Sequence, residues 1–467
     1  MDSKVHANEI IKAGSNYLRG TLRESMADEL TGALDPADAQ LSKFHGFYEQ
    51  DDRDLRQERQ QKLLEPYYSF MLRARLPGGI CTPRQWLTID SVARRLGNGS
   101  IRLTTRQTFQ YHGILKRNLK HLIQEINSVM IDSIGGCGDV NRNVLCNPNP
   151  VQSKLHAEVS QWARSISEAL LPKTRAYHEI WLDGERVEGG DSEPLYGETY
   201  LPRKFKTAVA IPPSNDVDVY TNDLGFVAIA ERAGLVGFNV LAGGGMGTTH
   251  GDISTYPRLA DELGLIAPEQ VIAVAQAVVA VQRDHGNRCS RRHARLKYTV
   301  ESMGIESFRR EVERRSDVTF QPPRPVSFQH QGDRYGWVEG GDGNWHLTLY
   351  IENGRVTDVP DAQLMTGMRK IARLHQGDFR ITPNQNLVVA GVPEKHKERI
   401  EALARHHGLL RSRSRLRLNS IACVALPTCP QAMAEAERCL PELMTEIEQL
   451  AASHGLPDLT TVIRMTG

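Results

Sequence analysis

Two apolar periods alternate along the chain. Apolar residues that return every three or four positions predict amphipathic helices in RQWLTIDSVARRL from Arg84, AQLMTGMRKIARLH from Ala362, VQSKLHAEVSQWARSISEAL from Val151 and QAMAEAERCLPELMTEIEQLAASHG from Gln431. Strand-like runs occupy GSIRLTTRQTFQYHGI from Gly99, GDFRITPNQNLVVAGV from Gly377 and RKFKTAVAIPP from Arg203. The longest apolar stretch, VIAVAQAVVAV (271–281), is too short to cross a bilayer and predicts one buried helix face. The first part of the chain, about sixty residues, is polar instead. Its FHGFYEQDDRDLRQERQQKLLE (44–65) has few apolar anchors, which predicts a solvated arm wrapped onto the body or a segment that docks a partner.

The two strand-like segments are copies of each other. Aligned without gaps from Gly99 and Gly377, they share Gly, Arg, Thr, Gln and Gly at the same places. Each follows one helical pattern and precedes another. An Asn-rich turn with a cysteine comes next (NRNVLCNPNP with Cys146, NSIACVALPTCP with Cys423), and then a long amphipathic helix. This order predicts an α+β fold made of two copies of one unit about a pseudo-two-fold axis, with a ligand site where the halves meet. The first copy continues through the loop LAGGGMGTTHG. The second stops at TTVIRMTG (460–467), a strand-like run with no partner strand to follow.

Composition narrows the class. A chain of 467 residues exceeds one hydrophobic core and implies two to four domains. With 40% hydrophobic and 24% charged residues and a formal net charge of +1, it lacks the basic excess of a general nucleic-acid binder. MDSKVHANEIIKAG has no signal-peptide core, and seven scattered cysteines form no secreted disulfide framework, so the expected location is the cytoplasm. There is no flavin or NADPH motif, so any electrons must come from another subunit.

Positive charge is nevertheless concentrated locally. If 101–112 is one extended strand, Arg102, Thr104, Arg106, Thr108, Gln110 and His112 share a face. The corresponding face of the second copy, Arg380, Thr382, Asn384, Asn386, Val388 and Ala390, carries far less charge. Lys204 and Lys206 share one side of their run; Arg288, Arg291, Arg292, Arg295 and Lys297 crowd another segment; Arg73, Arg75 and Arg142 stand elsewhere. Such cations either form solvated faces or converge on a carboxylate-rich cofactor or a small oxyanion. The run Gly243–Gly245 lacks nucleotide-loop spacing and suits a tight turn or close approach to a flat ligand. Cys423 and Cys429 are spaced like two ligands of a metal or cluster site that needs about four. Cys81, Cys137, Cys146 and Cys289 are expected to be packed thiols, and Cys439 structural.

These residues carry a resemblance. SNYLRG, FHGFYEQDDRD, RLPGG, GSIRLTTRQTFQYHGI, NRNVLC, TYLPRKFKTAVAIPP, NWHLTLYIENGR, GDFRITPNQNL and ACVALPTCPQAMAEAER make the chain similar to the hemoprotein (beta) subunits of assimilatory NADPH-sulfite reductases, from about Ser15 to the last residue. The likeness to nitrite reductases of the same architecture is more distant. The family reduces sulfite to sulfide by six electrons, for sulfate assimilation and cysteine biosynthesis, with siroheme bridged to a [4Fe-4S] cluster. The resemblance implies ferredoxin-like halves and siroheme-binding α/β lobes: an arm over 1–62 that wraps the body and docks the flavoprotein, a first half over 63–130, a first lobe over 131–329, a second half over 330–405 and an incomplete second lobe over 406–467.

It further implies that Arg73, Arg142, Lys204 and Lys206 hold sulfite, and that Arg102, Arg106, His112, Arg203 and Arg295 serve siroheme. Cys423 and Cys429 would be the first two cluster ligands, and a flavoprotein alpha subunit the electron donor. No membrane or nucleic-acid partner is expected. Arg295 stands where the family pattern has lysine, and Thr105 where it has asparagine. The family's second cysteine pair, about forty residues past the first, would begin where this sequence stops, so the resemblance implies an inactive or incomplete fragment. A nitrite reductase and a non-catalytic siroheme- or anion-binding remnant are the alternatives.

Overall fold

In the computed structural model, which describes residues 5–148, 154–185, 192–232 and 234–467, the repeated segment folds twice into the same hairpin. Ile101–Leu103 pairs antiparallel with Phe109–Ile114, placing Arg102 opposite Gln110; Asp378–Ile381 pairs with Leu387–Val392, placing Arg380 opposite Val388. The expectation of one extended strand over 101–112 is therefore corrected. The chain reverses between Leu103 and Phe109 although no glycine or proline marks that turn.

The shared residues explain the reversal. Gln107 and Gln385 take left-handed φ values of 52° and 65°, uncommon for residues with a Cβ. Their N–H groups donate back to the carbonyls of Thr104 (3.0 Å) and Thr382 (3.1 Å). Thr104 Oγ1 accepts the N–H groups of Arg106 and Thr108 at 3.2 and 3.4 Å, and Thr382 Oγ1 those of Asn384 and Asn386, both at 3.2 Å. Gly113 and Gly391 match as well, at φ 69° and 74°.

The halves are bound by exchanged edges. One five-stranded sheet runs Phe47–Asp51, Tyr68–Arg73, Phe109–Ile114, Ile101–Leu103 and Arg355–Val356; its counterpart runs Gly336–Glu339, Trp345–Leu349, Leu387–Val392, Asp378–Ile381 and Ile80–Cys81. Each half thus lends a short edge strand to the other. Gly79 and Gly354 lead into the lent strands with φ 72° and 70°. A Cβ on Gly79 would lie 2.7 Å from the Ile381 carbonyl and 2.9 Å from Gln107 Cβ; one on Gly354 would meet the Leu103 carbonyl and Gln385 Cβ in the same way. Helices Pro83–Leu96 and Lys116–Asn127 cover the first sheet, and Leu364–Leu374 and Glu394–His406 the second. Thr82 and Gln85 close the first of these with a capping box.

A third sheet forms the first lobe, in the order Asp261–Ile266, Gly234–Ala242, Leu224–Glu231, Thr207–Ala210 and Leu145–Cys146, with the last pairs parallel. Helix Val271–His285, the apolar run of the sequence, buries Val274, Val278 and Val281 against it. The second lobe repeats the start of this pattern: Ser420–Ala422 pairs parallel with Ile463–Met465. The terminal strand therefore has a partner, earlier in the chain. The helix expected from Gln431 begins only at Leu440, where Pro441 fits the first turn. Residues 149–153, the end of NRNVLCNPNP and the start of the helix expected from Val151, lie outside the described residues; helix Lys154–Ala169 follows.

The N-terminal segment is not solvated. Leu18, Leu22, Leu34, Leu41, Phe44 and Phe47 are buried, and Phe47–Asp51 is the outer strand of the first sheet. Its buried charges are paired: Asp38 accepts from Thr21 N and Oγ1 (3.0 and 2.7 Å), and Lys12 donates to the Leu201 carbonyl (2.7 Å) beside Glu9 (2.6 Å). Polar composition concealed anchors spread thinly through short helices.

Gly79→Ala and Gly354→Ala are each expected to cost about 2 kcal/mol or more in urea unfolding, because strain and a backbone clash add. Gly99→Ala, at φ 77° with nothing within 4 Å of its Cβ, is expected to cost only about 1 kcal/mol. Equal losses at the three positions would contradict the role of the exchanged edges.

Candidate active site

The open side of the first half-sheet faces a cavity of 450 Å³ lined by Tyr48, Arg73, Arg102, His112, Arg142, Arg203 and Lys204, with Cys423 and Cys429 on the far wall. Strand pairing brings the first group together. Tyr68–Arg73 ends with Arg73 opposite Gln110, and Arg102 pairs with the same glutamine from the other side. His112 lies two residues along, on that face. Arg142 enters from a loop whose backbone N–H donates to the Phe205 carbonyl at 2.9 Å, while Phe205 N donates to Val140 O at 3.0 Å. Phe205 and Thr207 are buried in the lobe, so alternation turns Lys204 and Lys206 the other way, as the sequence predicts.

The electrostatics are mostly cationic: Asp139, a carboxylate in the lining, is taken up by Arg291 at 2.7 and 3.0 Å. Arg73 Nη1 donates to Cys137 Sγ (3.1 Å) and Arg142 Nε to Gly138 O (2.8 Å), both uncharged acceptors. Among the described residues no carboxylate forms an ion pair with Arg73, Arg106, Arg142, Arg203, Lys204 or Lys206. Burial, with Arg142, Arg295 and Arg203 close by, pushes the Lys204 ammonium down to about 7. Burial and the charges of Arg106, Lys204 and Arg295 drive Lys206 well below its usual range. Burial lowers Arg203 too, and Arg106 to about 9. His112 is buried with an unpartnered Nε2; burial and Arg355, Arg102 and Arg73 hold it well below the usual imidazole range, hence neutral.

Three predicted site residues do not line the cavity. Arg106, at the hairpin turn, donates to Thr207 O (3.2 Å) and Asn222 Oδ1 (2.7 Å). Lys206 is absent from the lining, although the charge of Lys204 acts on it. Arg295 is held by Asp223 in a two-pronged pair at 3.0 and 2.7 Å. Arg102 lines the cavity yet also reaches across it: Nη2 donates to Ala422 O at 2.7 Å, and Nε lies 3.1 Å from Glu437.

Cys423 and Cys429 are held by the N-terminal segment. Arg53, in QDDRD, donates from Nε to Pro427 O (3.1 Å), from Nη1 to Ala432 O (2.8 Å) and from Nη2 to Cys429 O (2.5 Å). Gly467 N lies 3.5 Å from Cys423 Sγ. Among the described residues no cluster of three or more His, Cys, Asp or Glu is arranged to hold a metal. Cys439 turns its Sγ to Met465 Sδ at 3.9 Å. Cys81, Cys137 and Cys146 are buried as expected; Cys289 is exposed, because its turn lies on the surface.

The second copy satisfies itself. Asp333 accepts from Thr382 Oγ1 (2.8 Å), Asn384 Nδ2 (3.2 Å) and Asn386 Nδ2 (2.7 Å), and Arg380 pairs with Asp378 at 2.9 Å. A carboxylate thus fills the place that is left cationic in the first copy. Sequence reasoning missed Tyr48, Asp223 and Glu437. Tyr48 lay in the presumed arm, and the two acids gain meaning only from partners far along the chain.

The chain is similar to known proteins along nearly its whole length. Residues 63–129 and 338–407 match the nitrite/sulfite reductase ferredoxin-like half domain, and residues 161–320 match the nitrite and sulphite reductase 4Fe-4S domain. The chain is 65% identical over 448 residues to the sulfite reductase [NADPH] hemoprotein beta-component of Thiocapsa roseopersicina, covering 96% of this chain and 80% of that protein. It is 60% identical to the protein of the same name from Shewanella sp. (strain ANA-3), covering 100% of this chain and 83% of the relative. The solved structure of the Mycobacterium tuberculosis NirA protein superposes with a TM-score of 0.80 at 25% identity, covering 99% of this chain and 81% of NirA.

Unpaired buried cations make stability depend on pH. Lys204 is lowered from 10.5 to about 7 in the folded chain. Between those values the unfolded chain binds the extra proton, so stability rises with pH. The Tm of the anion-free chain is expected to climb between about pH 7 and 9, less so in Lys204→Met, and inorganic phosphate is expected to flatten the climb. A climb equally steep in Lys204→Met would contradict the assignment.

Proposed function

The chain belongs to the family of NADPH-sulfite reductase hemoprotein beta-components, and from that premise we infer that its cavity is where sulfite is reduced to sulfide. It is an oxidoreductase of sulfur groups working with siroheme and a [4Fe-4S] cluster, one component of a larger enzyme. The observation that carries the reading is the set of desolvated cations without carboxylate partners on one side of a cavity whose other wall holds two thiols.

Siroheme fits this cavity on chemical grounds. It is flat and rich in carboxylates, and the first copy presents a sheet face with a buried, unpartnered polar atom, His112 Nε2, beside Arg102, whose Nε lies 3.1 Å from Glu437. Arg102, His112 and Arg203 would meet its carboxylates or line its edge; Arg106 and Arg295 would act from behind the wall. Cys423 and Cys429 would be two cluster ligands. A cubane takes about four, and the described residues bring no third thiol to them. When bound, siroheme supplies the iron that takes the sulfur of the substrate and passes it electrons.

The chain's own residues handle charge and protons. Six electrons and seven protons turn sulfite into hydrosulfide and three waters. The dianion enters a site where Arg73, Arg142 and Lys204 neutralise it, with Lys206 adding its charge from outside the lining. Arginines keep their protons and hold oxygens as fixed forks. Lys204, poised near neutrality at about 7, can give a proton to an oxygen that leaves as water and recover it from solvent. Neutral His112 stays an acceptor or a single donor. Electrons come from a flavoprotein alpha subunit that holds NADPH, and the enzyme works in the cytoplasm. No helix among the described residues is long and apolar enough to cross a membrane.

Lys204→Ala tests the reading in the siroheme-loaded enzyme. Sulfide release is expected to fall by about a hundredfold, the usual weight of a positioned acid, with the siroheme absorbance unchanged. Turnover within twofold of the parent would sink the proposed role of Lys204, and faster nitrite than sulfite turnover in the parent would redirect the substrate.

A further inference from the structure

Behind the cavity wall, the dipeptide Asn222–Asp223 opens strand Leu224–Glu231. Asp223 is 0% exposed. Its Oδ1 accepts Arg295 Nε (3.0 Å); its Oδ2 accepts Arg295 Nη2 (2.7 Å) and the backbone N–H of Lys206 (2.9 Å). Asn222 Oδ1 accepts Arg106 Nη2 at 2.7 Å. The glycine run packs directly on this corner: Gly243 N donates to Asp223 O (2.9 Å) and Gly244 N to Asn222 O (3.0 Å), and a Cβ on Gly244 would lie 2.6 Å from Asn222 O. The run therefore serves close approach to protein backbone, and its product is a rigid anionic corner.

That corner sorts the cations. Lys206 faces Arg106 from the hairpin turn, Lys204 from its own segment, Arg295 from the turn before helix Leu296–Met303, and Asp223. Lys204 faces Arg142, Arg295, Arg203 and Asp223. Asp223 is thus the carboxylate that both lysines sense, yet its oxygens are occupied by Arg295 and one backbone N–H. We propose that Asp223 is a positioning residue that takes up the charge of Arg295 and so leaves Lys204, in the cavity lining, and Lys206, outside it, without a counter-ion. A lysine at position 295 could not fill both oxygens of Asp223 with a planar fork. The proposal builds on the reading of the cavity as a sulfite site, but its test is independent of turnover.

The test is the pH dependence of acylation of Lys204 and Lys206 by acetic anhydride in the full chain, read by peptide mass spectrometry, since only the neutral amine reacts. Asp223→Asn removes the negative charge and is expected to lower the labelling midpoint by about one pH unit. Arg295→Gln removes a cation and frees the Asp223 carboxylate, and is expected to raise it by a similar amount. In loaded enzyme, the pH at which the KM for sulfite begins to rise should move the same way in each variant. Midpoints unmoved in Arg295→Gln, or moved in the same direction in both variants, would overturn the proposal. If Asp223→Asn does not fold, Arg295→Gln alone decides by the sign of its shift. Shifted midpoints without sulfite turnover would leave the proposal standing and remove the sulfite reading.

Discussion

Withdrawing an ammonium or guanidinium from water without a counter-charge costs several kcal/mol, and a fold that gathers several such groups must recover the loss elsewhere. Here Arg73, Arg142, Arg203, Lys204 and Lys206 share one region without carboxylates of their own. The lowered proton affinity of the lysines expresses that cost. The rest of the architecture resists the repulsion: a sheet face fixed by hairpin geometry, a lobe strand anchored by Phe205, and a wall stiffened by Asp223 and the glycine run. An anionic ligand converts the cost into affinity and specificity, since a neutral molecule gains nothing from the same groups.

Duplication explains how one face can be left so charged. The two halves interlock through exchanged edge strands at Gly79 and Gly354, so neither sheet is complete alone. Within that shared frame the second copy closes its hairpin on Asp333 and pairs Arg380 with Asp378. It bears the structural load. The first copy is released from self-satisfaction and can present Arg102 and its neighbours to a ligand. Arg102 also reaches Ala422 and Glu437 in the second lobe, tying the cationic wall to the loop of Cys423 and Cys429.

Much of this was legible in the sequence. The five shared residues of the repeat marked a duplicated unit, and three of the matched pairs, Thr104 and Thr382, Gln107 and Gln385, and Gly113 and Gly391, have the same backbone duty in both copies. Alternation around Phe205 turned both lysines away from the buried side, but only Lys204 reaches the cavity lining. The turn between Leu103 and Phe109 was not legible, because Thr104 and Gln107 shape it through local hydrogen bonds and a left-handed residue, where glycine or proline would have announced it. The N-terminal segment was misread for a related reason: Leu18, Leu22, Phe44 and Phe47 are few and widely spaced, yet all are buried. Asp223 and Glu437 were invisible because an acid's partner at long range is decided by topology.

The most direct measurement is a siroheme titration of the chain, following uptake by absorbance and stability by Tm at low and high ionic strength. If the cations are held unpaired for a polyanionic cofactor, the chain takes up siroheme with a rise in Tm. Affinity then falls with salt and falls further in a variant lacking Arg102 and Arg203. No uptake, or uptake that neither stabilises the chain nor responds to salt, would contradict the account.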